Sequence, residues 1–140
     1  MGMGKSHPVS VRLDKDTLEQ VRELSQRTDR TVGQILSTLV NEGVRMRRCP
    51  GIVFADGPTG RRATVAGSGI DVWEVIRVLK TCKDRRRLAR ALPQLSPRQL
   101  DAALAYYTCY PDEIDRRIEQ NAVPLPTLQR RSPFIKKVRV

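Results

Sequence analysis

At 140 residues the chain has room for one domain or two very small ones. Its 26 Lys and Arg outnumber 15 Asp and Glu and leave a formal charge of +11, an excess that suits a polyanionic partner, nucleic acid above all. With 39% hydrophobic residues it is too apolar to be wholly disordered, yet it has no apolar run of the roughly 20 residues that a membrane helix needs, and MGMGKSHPVS contains no apolar signal region.

Residues 1–7 are expected to be disordered. In Pro8-Val9-Ser10-Val11-Arg12-Leu13, apolar Val9, Val11 and Leu13 alternate with Ser10 and Arg12, which predicts a short strand with one apolar and one polar face. Asp14 can cap a following helix in which Leu18, Val21 and Leu24 recur at helical spacing. After Thr28-Asp29-Arg30, Thr31 is a second N-cap. Ile35, Leu36, Leu39, Val40 and Val44 then mark an amphipathic helix to about Arg47. A lone strand leaves its backbone groups unpaired. A second copy of the chain would supply the missing strand and give a two-stranded ribbon over four helices.

This pattern resembles the ribbon–helix–helix family of DNA-binding repressors, over roughly residues 8–47. The resemblance implies a homodimer that places the ribbon in the major groove of a pseudo-palindromic operator in double-stranded DNA. Ser10 and Arg12 would touch base edges, with Arg12 able to pair bidentately with guanine. The amides of Val32 and Gly33, assisted by the Thr31 hydroxyl, would hold a phosphate. Gly33 departs from the small polar residue often found there. Without the resemblance, the same residues read as a β-α-α fragment whose Ser10 and Arg12 merely face solvent.

Cys49-Pro50-Gly51 breaks the chain into domains at 8–48 and 50–121. Gly51-Ile52-Val53-Phe54 and Arg61-Arg62-Ala63-Thr64-Val65 flank a Gly-Pro-Thr-Gly turn and predict a hairpin. Asp71 can cap a helix carrying Val72, Val75, Ile76 and Leu79. Asp84 can cap another with Leu88, Ala91 and Leu92 inward and Leu95 just beyond. Ser96-Pro97 starts a third, with Leu100, Ala103, Leu104 and Tyr107 on its apolar stripe. Past Tyr110-Pro111, Ile114 and Ile118 mark a short amphipathic helix to about Asn121. Brief turns between short helices suggest a trihelical helix-turn-helix unit. The fold class expected for the whole chain is therefore mainly α with a small β-hairpin.

Three pieces in residues 50–121 resemble a domain-of-unknown-function family found in VapB-type antitoxins: A-G-S-G-I-D-V-W, L-S-P-R-Q-L and A-L-A-Y-Y…P-D-E-I-D. The resemblance implies a small winged or homeodomain-like helix-turn-helix encoded beside a PIN-type toxin ribonuclease. The helix opening at Ser96 is the favoured DNA reader, because Arg98 and Gln99 are expected to be exposed in its first turn.

Several clusters carry two readings. Lys83-Asp84-Arg85-Arg86-Arg87…Arg90 is either a solvated face or a phosphate clamp through Arg85, Arg86 and Arg87, and Arg61 and Arg62 could track a backbone similarly. Gly67-Ser68-Gly69 lacks the Lys and spacing of a phosphate loop and reads as a tight turn. Asp112, Glu113 and Asp115 suit a helix N-terminus better than a metal. Trp73, Tyr106, Tyr107 and Tyr110 could stack on single strands, although Trp73 and Tyr107 suit the helical core better. Three cysteines, Cys49, Cys82 and Cys109, without C-x-x-C spacing read as reduced thiols and most simply as buried apolar residues. His7 is the sole histidine, so no catalytic residue, metal site or cofactor is expected, and the chain should not be an enzyme.

Residues 122–140 hold five basic and no acidic residues, with three prolines, and predict an extended, largely disordered basic tail. Arg130, Arg131, Lys136, Lys137 and Arg139 alternate with bulky apolar residues such as Phe134. Such a segment can order on a partner. Arg130, Arg131 and Phe134 are candidates for contact with the acidic site of a PIN-type toxin; a nonspecific DNA-binding tail is the other reading. The expectation is a cytoplasmic protein of the bacterial cytosol or nucleoid: an antitoxin and autorepressor that neutralises a toxin, dimeric and capable of higher order on DNA, with no membrane partner. The alternative is a stand-alone transcriptional regulator, or a plasmid/phage partition-type DNA-organising protein without a toxin.

Overall fold

A computed structural model describes residues 6–57 and 60–122. The described residues are mainly helical, with six helices and one two-stranded antiparallel sheet. They fall into two compact units that divide between Val44 and Arg45.

Unit 1 consists of α1 (Lys15–Thr28) and most of α2 (Val32–Arg48). Asp14 caps α1, its carboxylate accepting from the Thr17 amide at 3.4 Å. Asp29 ends α1 in the left-handed region at φ 54°, which Asp tolerates better than most residues, and its amide donates to Ser25 O. Thr31 and Gln34 form a reciprocal capping box on α2: the Thr31 amide donates to Gln34 Oε1 at 2.9 Å, and the Gln34 amide donates to Thr31 Oγ1 at 3.1 Å. Arg30 Nη2 reaches Thr38 Oγ1 at 3.0 Å and braces the turn against α2. Within unit 1 only Val21 and Ile35 are buried among the described residues.

The strand expected over 9–13 does not form in the single chain: residues 6–14 belong to no helix or strand. A strand exists only by pairing. The two strands among the described residues pair with each other, and Val9 and Val11 are left 86% and 65% exposed.

Unit 2 holds β1 (Ile52–Gly57), β2 (Gly60–Val65), α3 (Val72–Cys82), α4 (Arg85–Ala91), α5 (Pro97–Cys109) and α6 (Pro111–Gln120). The hairpin register runs from Ile52↔Val65 to Gly57↔Gly60. Gly51 leads into it at φ +91°, where a Cβ would also come within 3.0 Å of Ala102 Cβ on α5; only glycine satisfies both conditions. α3 is the hub and packs on β2, α4, α5 and α6, with Val72, Val75 and Ile76 fully buried. Leu88, Leu100, Ala103, Tyr106 and Ile114 close the core around it.

Two core expectations need correction. Ala91, expected inward, is exposed, because α4 is a seven-residue helix that meets the core through Leu88 alone; Leu92 and Leu95 continue the cover from the connection beyond it. On α5 the fully buried aromatic is Tyr106 rather than Tyr107, which is half-buried beside Leu104.

Candidate nucleic-acid interface

In unit 1 the candidate contacts lie at the start of the two helices. Ser10 and Arg12 are exposed in the extended approach to α1. Val32 and Gly33 are the first two residues of α2, so their amides have no intrahelical acceptor. The Thr31 oxygen accepts the third amide, that of Gln34, which leaves its hydroxyl hydrogen free to donate. Exposed Arg22 and Arg27 add positive charge along α1.

In unit 2 the candidate arginines separate by what they touch. Arg62 is half-buried and committed: its Nε donates to Asp71 Oδ1 at 2.9 Å and its Nη1 donates to Asp56 O. Arg61 is exposed and pairs with Asp56 at 3.0 Å. Arg85 bridges α4 to α5, donating to Asp101 at 2.7 Å and Pro97 O at 3.3 Å. Arg87 lies 4.0 Å from Asp84, whose carboxylate accepts the Arg86 amide in capping α4. Arg86, Arg90 and Arg98 are exposed, and none forms an ion pair among the described residues. Arg86 and Arg90, four apart on α4, share a face.

Gln99 does not sit exposed as expected. It is half-buried, its Oε1 accepting from the Ser96 amide at 2.8 Å and its Nε2 donating to Ala66 O at 3.1 Å. The N3 position of a capping box and a tie to the hairpin use both ends of this side chain. Of the two first-turn residues on α5, Arg98 alone remains available.

The aromatic residues are occupied by protein partners. Tyr106 is buried and lies 4.9 Å from the Tyr110 ring and 6.3 Å from Phe54. Its hydroxyl donates to Glu113 and accepts from Arg45 Nη1 at 2.9 Å, and Arg45 in turn pairs with Glu113. Burial pushes the Tyr106 phenol up to about 12. The Arg45 guanidinium lies 4.2 Å over the Tyr110 ring, a cation–π contact inside the unit. Trp73 carries Arg77 at 4.9 Å and donates from Nε1 to Asp71 at 3.1 Å. Tyr107 Oη donates to Asp115 at 2.8 Å. These side chains therefore pack and anchor the helices rather than line an open stacking platform.

The acidic residues at the start of α6 diverge. Glu113 turns to Arg45 and Tyr106, while Asp115 turns to Lys80 and Tyr107. Among the described residues no three His, Cys, Asp or Glu gather as metal ligands. Gly67-Ser68-Gly69 is a turn closed on itself: Ser68 Oγ donates to Val65 O and accepts from the Ile70 amide, and both glycines have positive φ. Cys109 is exposed, contrary to the expectation that all three cysteines are buried.

The sequence reading missed Asp71 as more than a cap. It is buried, and its carboxylate gathers Arg62, Thr64 and Trp73. Glu74 completes the helix start by accepting the Asp71 amide at 2.9 Å. No local pattern announces this role, because two of the three partners come from β2. The candidate tail residues Arg130, Arg131 and Phe134 lie outside the described residues, and no helix among those described is long and apolar enough to cross a membrane.

A family model described as a protein of unknown function (DUF433) matches residues 52–107, from the first residue of β1 into α5. No curated protein matches the chain. No solved structure matches it either.

Proposed function

We propose that the chain is a sequence-specific DNA-binding protein, dimeric through residues 8–48. The observation that carries this reading is the incompleteness of unit 1. Two helices bury only Val21 and Ile35, while Val9, Val11, Leu39, Val40 and Val44 stay exposed. Apolar surface of this extent on so small a unit calls for a partner. A second copy would cover it and pair residues 9–13 into an antiparallel ribbon. That ribbon would present Ser10 and Arg12 on its polar face, with the α2 amides and the Thr31 hydroxyl holding phosphate.

In unit 2, Arg86, Arg90 and Arg98 are the side chains with charge to spare for a DNA backbone; Arg62, Arg85 and Gln99 hold the fold together. The finer reading, an antitoxin that represses its own operon and neutralises a PIN-type ribonuclease through Arg130, Arg131 and Phe134, is supported by the resemblance of residues 50–121 and by the basic, apolar-studded composition of 122–140. Co-purification with the products of neighbouring genes, with and without residues 122–140, tests it. A small ribonuclease captured only by the full chain supports the antitoxin; capture of DNA alone supports a stand-alone regulator.

The direct test of DNA reading is Arg12→Ala. It should cost roughly 1–3 kcal/mol on the specific site and leave affinity for random DNA nearly unchanged. Equal loss on both would refute base reading by Arg12.

A further inference from the structure

We propose that unit 2 grips the phosphate backbone of duplex DNA without regard to sequence, through Arg86 and Arg90 on α4 and Arg98 at the start of α5. The site rests on the DNA-binding reading and divides its labour: residues 8–48 choose the sequence, and unit 2 adds affinity on any sequence.

The placement of the three arginines follows from how α4 is seated. This helix meets the core through Leu88, which is fully buried. Arg86 and Arg90 lie two residues to either side of Leu88, which is more than half a turn around an α-helix, so both point away from the core, and both are exposed. Arg85 donates to Asp101 Oδ1 at 2.7 Å and to Pro97 O at 3.3 Å. That pair of bonds fixes the start of α4 beside the first turn of α5, where exposed Arg98 follows Pro97. The nearby carboxylates are already engaged. Asp101 holds Arg85, and Asp84 accepts the Arg86 amide and lies 4.0 Å from Arg87. Arg86, Arg90 and Arg98 are left without a carboxylate partner among the described residues.

The chemistry of this face selects its partner. A guanidinium fork matches the paired oxygens of a phosphate. The face offers no large apolar side chain, because Leu88 is the only one on α4 and it is buried. A protein partner would need a buried apolar or aromatic anchor at the centre of the contact. A single strand would need aromatic rings to stack on, and α4 carries none. Base reading lacks its means as well: Gln99, whose amide could pair with adenine, is held by Ser96 and Ala66. What remains recognises negative charge alone, which a duplex carries on its phosphates.

The test measures affinity of the full chain, over a range of salt, for a random duplex and for a duplex carrying the site that the chain enriches. Arg86→Ala/Arg90→Ala is compared with Arg47→Ala/Arg116→Ala, which removes the same charge from exposed positions elsewhere in unit 2. The α4 pair should lower affinity for both duplexes by the same factor and take about 2 from the slope of log affinity against log salt, one for each phosphate contact. Arg98→Ala should take about 1, and the control pair should leave the parent's slope. An equal fall in slope from the control pair would assign the effect to bulk charge and overturn the proposal. A loss confined to the enriched site would assign it to base reading and overturn it too. A parent chain that binds neither duplex would remove the DNA-binding reading and this site with it; a parent that binds both, matched by the α4 variant, would remove this site alone.

Discussion

Asp71 shows how much of unit 2 rests on one side chain. It lies at the N-terminus of α3, 6% exposed, where it accepts from Arg62 Nε at 2.9 Å, Thr64 Oγ1 at 3.0 Å and Trp73 Nε1 at 3.1 Å. A buried carboxylate is tolerated only when its lone pairs are satisfied, and removing it strands three donors. Asp71→Ala should therefore cost roughly 2–4 kcal/mol, the range for breaking a largely buried charge-assisted cluster. Urea denaturation of the full chain reads this as a lowered midpoint; Asp71→Asn, which keeps two acceptor sites, should fall in between. A second acid carries a pH signature. Hydrogen bonds from Lys80 and Tyr107 hold the Asp115 carboxyl below its ordinary 3.8, and its hydrogen bond to Asp115 holds the Lys80 ammonium above 10.5. For an acid whose folded pKa is depressed, stability is fully present above the unfolded pKa and is lost as pH falls through the folded one. For the raised lysine it is lost as pH climbs through the folded value. The difference in urea midpoint between the parent chain and Asp115→Asn should hold from pH 5 to 9 and shrink below 3.8; a difference unchanged at pH 2.5 would show that the pair contributes nothing through charge.

At the scale of elements, helix starts were the most legible feature of the sequence. Asp14, Thr31, Asp84 and Ser96 each accept a first-turn amide, because capping depends on residues two or three apart in the chain. The hairpin was legible for the same reason, as two short apolar runs around a turn. Exposure was legible only where a single helix decides it. Gln99 reads as a free first-turn side chain but is claimed by Ala66, 33 residues away, and Arg62 reads like Arg61 but is claimed by Asp71. Tyr106 and Tyr107 are adjacent on α5, and the packing of α3 and α6 against that helix, invisible locally, decides which one is buried. Because Gln99 joins a cap to a tertiary tie, Gln99→Ala should destabilise the full chain by roughly 1–2 kcal/mol, above the common loss for a cap alone. Gln99→Glu keeps the box acceptor and loses only the donor to Ala66, so its urea midpoint should lie between the two; a midpoint equal to that of Gln99→Ala would assign the whole effect to the tie.

At the scale of the molecule, the two units differ in what they bury. Unit 2 encloses a core of thirteen buried residues from Cys49 to Ile114, and unit 1 buries two among those described. A sequence can announce this contrast only in part: the alternation at 9–13 suggests a strand, but no segment among the described residues pairs with it. If a second copy completes unit 1, its melting should depend on protein concentration while that of unit 2 should not, since mass action stabilises only the unit that associates. Leu39→Glu, placed on the exposed apolar face of α2, should abolish that dependence and weaken DNA binding with it. The central claim, a dimer that reads DNA sequence, is tested most directly by selecting binding sites for the full chain from a pool of randomised duplexes. A DNA-reading dimer should enrich a two-fold symmetric pair of half-sites, with affinity falling about 10³- to 10⁵-fold between roughly 50 and 200 mM salt if about 6–10 phosphates are contacted. Recovery of duplexes with no common sequence, bound equally by the parent chain and Arg12→Ala, would contradict it.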